Sequence, residues 1–184
     1  MAGKTSLASR VAKKLGYEHL DFSAFVCGND KFQAGYDEAL DSTLVDEDAA
    51  LDAVEAKMQA GGVVVDYHSA ELFPERWFSA VCCLTCSTEV LYDRLKARGY
   101  KAPKISENIE CEVMQVLQEE TREAYPLLDV IILPSETKEH QRENKKKLVE
   151  VMQRIAKKGV VICPPPTSKQ RKTSKKSKKE SEEE

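Results

Sequence analysis

This 184-residue chain has no early apolar run long enough for a signal peptide and no stretch approaching a membrane span, so an intracellular protein is expected. It has no internal repeat, which leaves one domain plus a tail rather than an array. Its six cysteines then read as thiols, not as a disulfide framework. Cys83 and Cys86 form a C-x-x-C beside Cys82, but no second C-x-x-C and no close His pair completes a zinc site. They lie in or beside Ala80-Val81-Cys82-Cys83-Leu84, an apolar run that predicts a buried strand and structural thiols. Cations are also scarce in one region: from Gly16 through Glu55, Lys31 is the only Lys or Arg.

The last residues lack anything that builds a core. After Pro164-Pro165-Pro166, the segment Thr167 to Glu184 has no apolar side chain, so the domain is expected to span 1–163 and the tail 164–184. The tail holds seven Lys or Arg and four Glu, a balance of +3; the whole chain is −3, which leaves −6 on the body. A body of that sign is no general nucleic-acid binder. Lys169, Arg171, Lys172, Lys175, Lys176, Lys178 and Lys179 cluster in the tail, which reads either as a nuclear-import or RNA-contacting segment or as a solvated disordered end.

What the chain does have begins at Gly3-Lys4-Thr5-Ser6, the closing part of a phosphate-binding loop. Gly3 lets the backbone approach a phosphate, Lys4 places a point charge between the β- and γ-phosphates, and the Thr5 hydroxyl suits Mg²⁺. Leu7, Ala8, Val11, Ala12 and Leu15 follow at helical spacing up to Gly16. The anion would thus sit at a helix N-terminus, where free N–H groups and the dipole favour it. A complete loop has its first Gly five residues before the second, with a buried strand ahead of it, and only Met1 and Ala2 precede Gly3. The expectation is that both lie upstream of an internal Met1, and that without them two sheet edges are left unpaired and ATP is bound poorly.

Further along, Tyr17 to Phe22 reads as a short strand. A helix capped by Asp46 or Asp48 carries Leu51, Val54 and Met58 and ends at Gly61-Gly62. Val63-Val64-Val65 is a β-branched run of the kind buried on both faces of a parallel sheet, and it ends in Asp66. Strands at Ser79–Leu84 and Asp129–Leu133 follow, with helices from about Thr88, from about Ile109 through Leu117, and from about Lys138 to Lys157. Alternating helices and buried strands predict an α/β fold, a parallel sheet flanked by helices.

Ligands of such sheets bind at the carboxyl ends of the strands. Asp66 stands at one, suited to hold Mg²⁺ through water beside the phosphate loop. His68, two residues on, either orients an attacking water or substrate group or is a hydrogen-bonded structural residue. Arg94 and Arg98 share a helix face, and Gly99-Tyr100 breaks the chain into a Lys- and Pro-containing loop. Two guanidinium groups there suit a lid over about 98–108 that closes on a triphosphate, or else are ordinary surface charges.

Gly3-Lys4-Thr5, Gly62-Val63-Val64-Val65-Asp66-Tyr67-His68, Phe73-Pro74-Glu75-Arg76-Trp77-Phe78, the segment Tyr92 to Tyr100, Asn108-Ile109 with Glu112, and Leu133-Pro134-Ser135 together resemble the adenylate kinase isoenzyme 6 family. The resemblance covers Met1 to about Ile155. It implies a P-loop nucleoside monophosphate kinase-like fold, adenylate kinase and ATPase activity with Mg²⁺, and a nuclear protein acting in small ribosomal subunit maturation through a ribosomal-protein partner. It also implies that Gly3, Lys4, Thr5 and Ser6 bind ATP phosphates, that Asp66 and His68 fall on the metal and catalytic motif, and that Arg98 is a lid arginine. The chain departs from the family in the monophosphate-binding region, about 21–47, where Phe25-Val26-Cys27 stands in place of an arginine for the AMP phosphate. Lys31 and Arg76 are the remaining candidates. Three readings stay open: a kinase of ATP and AMP, an ATPase switch in ribosome assembly, and an inactive relative or mis-started gene model.

Overall fold

The computed structural model describes residues 3–37 and 42–157. Helix α1 (Lys4–Leu15) buries Leu7, Val11 and Ala12 and stops at Gly16, whose φ of 72° is the left-handed conformation that terminates helices. Strand β1 (Glu18–Asp21) leads into a short helix α2 (Phe22–Cys27), capped by Asp21 through a 2.9 Å bond to the Ala24 N–H. A 3₁₀ turn (Asp30–Phe32) then opens an antiparallel hairpin of β2 (Gln33–Asp37) and β3 (Ser42–Val45). Helix α3 (Glu47–Ala60) is capped by Asp46, which accepts from the Ala49 N–H at 3.0 Å, and β4 (Val63–Asp66) follows.

The second half holds β5 (Val81–Thr85), α4 (Thr88–Ala97), α5 (Ala102–Val113), α6 (Val116–Ala124), β6 (Val130–Pro134) and α7 (Lys138–Lys157). One sequence expectation is corrected here. The helix read as starting near Ile109 begins at Ala102, because Pro103 falls in the first turn, where its missing N–H costs nothing and its fixed φ suits the helix. Most of the 98–108 segment is therefore helical, and only Arg98–Lys101 connects α4 to α5. Gln115, at φ 56°, separates α5 from α6.

The parallel strands form two pairs. β1 pairs with β4 in the register His19 to Val64 and Asp21 to Asp66, and β5 pairs with β6 from Val81–Val130 to Thr85–Pro134. Among the described residues β4 and β5 are not hydrogen-bonded to each other. Side chains alternate between two helical layers. Val64, Cys82, Leu84, Ile131 and Leu133 pack with Leu7 and Val11 of α1 and Val149 of α7. On the opposite face, Val63 and Val65 join a core with Phe22, Ala50, Val54 and Met58.

Between β4 and β5 lies a cavity of about 380 Å³ bounded by both strands and both helical layers. Cys83 and Cys86 are buried and Cys82 is half-buried with its thiol pushed up to about 12 by burial, as structural thiols should be. No group of three metal-ligating side chains occurs among the described residues.

Candidate phosphate-binding site

The site forms where the carboxyl ends of β1 and β4 meet the start of α1. Gly3 has φ 73°, the left-handed conformation that favours glycine, and a Cβ there would meet the flexible end of the Gln141 side chain at 2.8 Å. No side chain caps α1, which leaves the first N–H groups of the helix without an intrahelical acceptor. The Leu7 N–H already bonds the Gly3 carbonyl, so the donors facing outward are those of the first turn, from Lys4 to Ser6.

Thr5 Oγ1 donates to Asp66 Oδ1 at 3.0 Å. His19 Nε2 donates to the other oxygen, Oδ2, at 2.7 Å. Asp66 is only 9% exposed, and these two bonds hold its carboxylate in one orientation toward the first turn of α1. Lys4 is half-buried beside it. Burial lowers the Lys4 pKa, Asp66 and Cys83 push it back up, and Arg98 lowers it further. A partly desolvated ammonium next to a carboxylate and a free helix N-terminus is poised for an anion, because a phosphate supplies the charge that burial withdrew from water. Thr5 and Asp66 offer the hard oxygen donors that Mg²⁺ takes when it accompanies a nucleotide, so the residues present fit that ion.

His68 lies on the chain just past β4, its ring 4.1 Å from that of Tyr67 between centroids. Its pKa is lowered, first by desolvation and then by Lys4 and Lys104, which places it in the field of the same site. Arg98, exposed at the end of α4, lowers the Lys4 pKa through its charge. Thr5 and Asp66 are thus in contact, and Lys4 lies within electrostatic reach of Asp66, His68 and Arg98.

The remaining candidates are placed elsewhere. Arg94 donates from Nη1 to the Ser135 carbonyl at 2.7 Å and from Nη2 to the Glu136 carbonyl at 2.6 Å, so its guanidinium ties α4 to the segment after β6. Arg76 bonds Glu55 at 3.2 Å. Lys31 is exposed on the 3₁₀ turn, whereas Ser6, exposed in the first turn of α1, stays at the site. Sequence reasoning missed His19. Its only signal is a place one residue before the middle of a strand, and its partner is 47 positions away; the parallel register of β1 against β4 brings them together.

Comparison with known proteins bears on this geometry. The sequence profile of a family described as an AAA domain matches residues 1–115. The chain is 45% identical over 151 residues to the adenylate kinase isoenzyme 6 homolog of Caenorhabditis elegans, a match covering 81% of this chain and 82% of that protein. It is 43% identical over 137 residues to the homolog of the same description from Drosophila melanogaster, covering 74% and 78%. Against the Saccharomyces cerevisiae homolog it is 40% identical over 148 residues, covering 80% and 75%.

Proposed function

The chain belongs to the adenylate kinase isoenzyme 6 family, and from that premise we propose that it is a phosphotransferase that takes the γ-phosphoryl group of ATP, with Mg²⁺, to AMP or to water. The observation that carries this reading is the 3.0 Å bond between Thr5 and Asp66 at the uncapped start of α1, with Lys4 half-buried beside it. Gly3 to Ser6 hold the phosphates through first-turn N–H groups, and Lys4 offsets their charge. Thr5 and Asp66 hold Mg²⁺, which when bound neutralises phosphate oxygens. His68, kept neutral, orients the attacking group, accepting a hydrogen bond from water or donating its ring N–H to a phosphate oxygen of AMP. Arg98 closes over the phosphates from the connector between α4 and α5. The test is ADP formation by the full chain with and without AMP. In a form extended at its N-terminus to complete the phosphate loop, Lys4→Ala should abolish it in both assays, and turnover equal to that of the extended parent would sink the assignment.

A second reading, an ATPase switch with little AMP kinase activity, is favoured by the cation supply on the monophosphate side. Arg76 is engaged by Glu55, and Lys31 is exposed on a short turn. For AMP to bind, its phosphate must draw Arg76 away from Glu55. We therefore expect Arg76→Ala to raise the half-saturating AMP concentration more than Lys31→Ala does. The reverse order would move the AMP phosphate to the turn.

The setting of the activity belongs to the same proposal: maturation of the small ribosomal subunit, with a ribosomal protein or pre-ribosome as partner, in the nucleus and also the cytoplasm. Support comes from the resemblance and from the basic cluster Lys169 to Lys179, which suits import and RNA contact. Deleting that cluster from a tagged chain should shift it from nucleus to cytoplasm; a deletion that stays nuclear refutes the import role.

A further inference from the structure

Arg94 lies one helical turn before Arg98, yet it spends both terminal nitrogens on backbone carbonyls, those of Ser135 and Glu136. Resting on the reading of Gly3 to Ser6 as the phosphate site, we propose that Arg94 is a positioning residue. It fixes the segment 134–136 as the wall behind Gly3, and so sets the affinity for ATP without touching the nucleotide.

The main-chain polar groups of this segment define the wall. The Asn144 side chain donates to the Pro134 carbonyl at 2.7 Å, the Ser135 N–H to the Thr85 carbonyl at 2.8 Å, and the Glu136 N–H to His140 Nδ1 at 3.3 Å. These partners belong to β5 and α7. The Ser135 and Glu136 carbonyls remain, and Arg94 donates to both, at 2.7 and 2.6 Å, from α4. A second tie runs the same way, since the Ser87 N–H at the start of α4 donates to the Glu136 carboxylate at 2.9 Å. Ser135 is wholly buried, so its carbonyl, once deserted by Arg94, has no water to turn to.

Ser135 meets the phosphate site through Gly3. A Cβ placed on Gly3 would stand 3.8 Å from Ser135 Oγ, so the residue that opens α1 is set directly against the segment that Arg94 holds. A shift of that wall carries the start of α1 with it. The first-turn N–H groups of α1 are the donors offered to an anion, and hydrogen bonds weaken steeply once their geometry departs from the optimum. Those donors hold phosphate oxygens before and during transfer alike. Loosening them therefore removes binding common to ground state and transition state, which raises KM for ATP and leaves kcat nearly unchanged.

The same bonds argue against Arg94 as a phosphate ligand. To reach a nucleotide its guanidinium would abandon two charge-assisted hydrogen bonds and leave a buried carbonyl unpaired. Its Nη1 also lies 3.5 Å from the thiol of the buried Cys86, inside the fold. Arg98, in contrast, is exposed. The two carbonyls belong to successive residues and are met by two nitrogens of one planar group, a fork that the point charge of a lysine cannot reproduce.

The experiment reads KM for ATP and kcat of ADP formation separately, in the N-terminally extended form, for Arg94→Met, Arg94→Lys and Lys96→Met. Arg94→Met loses both bonds and should raise KM roughly tenfold, with kcat within about twofold of the parent. Arg94→Lys keeps one bond and should raise KM about threefold, which carries the test if Arg94→Met does not fold. Lys96→Met, an exposed change on the same helix, should match the parent. A merely structural role lowers the folded fraction, hence kcat, at constant KM, and that result overturns the proposal. A kcat loss of about a hundredfold or more in both Arg94 variants places the guanidinium on the transferring phosphate and overturns it too. The phosphate-site reading fails separately, through parental turnover in Lys4→Ala. In the full chain without nucleotide, the Gly3 amide resonance should shift together with those of Ser135 and Glu136 in Arg94→Met. Shifts at Ser135 and Glu136 with Gly3 unmoved would break the link between wall and glycine and overturn the proposal.

Discussion

Both carboxylate oxygens of Asp66 are occupied, one by Thr5 and one by His19, and the two bonds separate two tasks. The Thr5 side faces the proposed phosphate site, while the His19 side orients the carboxylate from the neighbouring strand β1. Asp66→Asn keeps the shape but replaces a charge-assisted acceptor by a neutral one, a difference of about 1–1.5 kcal/mol, so half-saturating Mg²⁺ for ADP formation should rise roughly 5- to 10-fold. His19→Phe should lower thermal stability and raise half-saturating Mg²⁺ by a smaller factor. An unchanged Mg²⁺ titration in both variants would remove Asp66 from the metal site. His68 supplies a pH test. Its folded pKa lies below the ordinary 6.5, so the unfolded chain binds the proton more readily, and the neutral ring's contribution is complete above 6.5 and lost as pH falls toward the lowered folded value. ADP formation should accordingly hold at pH 7 and decline only below 6.5, and His68→Gln should flatten that acid limb. A limb of unchanged shape in the variant assigns it to another group. At this scale the sequence revealed the residues whose local pattern is diagnostic, Gly3 to Thr5 and Asp66. It hid His19, and it did not separate Arg94 from Arg98, because a shared helix face says nothing about the Ser135 and Glu136 carbonyls that take up one guanidinium and not the other.

Among the elements, legibility followed the strength of the periodic signal. Val63–Asp66 and the helix Lys138–Lys157 lie where the sequence places them, since a β-branched run and a long apolar stripe survive any tertiary context. The segment between α2 and β3 was not legible. It is acidic and short of apolar residues, and its hairpin has a register shift between Gln33 and Gly35 that breaks the alternation by which strands are read. The start of α5 was hidden by Pro103, a residue that marks loops and first helical turns equally well. The cap of α3 was ambiguous between Asp46 and Asp48, and the 3.0 Å bond from the Ala49 N–H decides for Asp46. Asp46→Ala should then destabilise the domain by about 1 kcal/mol, whereas Asp48→Ala, which loses only a favourable charge near the helix dipole, should cost about 0.3–1 kcal/mol. Urea midpoints compared at constant m-value check this, and equal shifts for the two variants would remove the cap assignment. Tyr125 offers a second handle on packing. Its hydroxyl donates to the Ala70 carbonyl at 2.6 Å, and burial pushes its pKa up to about 12. Stability from that neutral phenol is full below pH 10, where the unfolded phenol also keeps its proton, and is lost as pH rises from there toward 12. Tyr125→Phe should lower stability by about 1–3 kcal/mol at neutral pH by leaving the carbonyl unsatisfied, and should weaken the alkaline decline.

Across the whole molecule, charge is divided between a body of −6 and a tail of +3. No helix among the described residues is long and apolar enough to cross a membrane, so the strong asymmetry of the chain is this electrostatic one. It makes the proposed RNA contact quantitative. Phosphates are repelled by the body, and binding must come from Lys169 to Lys179, whose seven cations set an upper bound on the counterions released. For single-stranded RNA, at about 0.7 per neutralised phosphate, log K against log salt should have a slope no steeper than about −5, and the four glutamates of the tail should make it shallower. Binding should change little with base sequence, because lysines contact phosphates and carry no base readout. Deleting Lys169 to Lys179 should abolish RNA binding while ADP formation without RNA continues at the parent rate, since none of the residues placed at the phosphate site lies in that segment. Fluorescence anisotropy of a labelled oligonucleotide at several salt concentrations measures both the slope and the loss. A slope markedly steeper than −5, or binding retained by the deletion, would place the RNA contact on the acidic body and overturn the division of labour that the charge pattern implies.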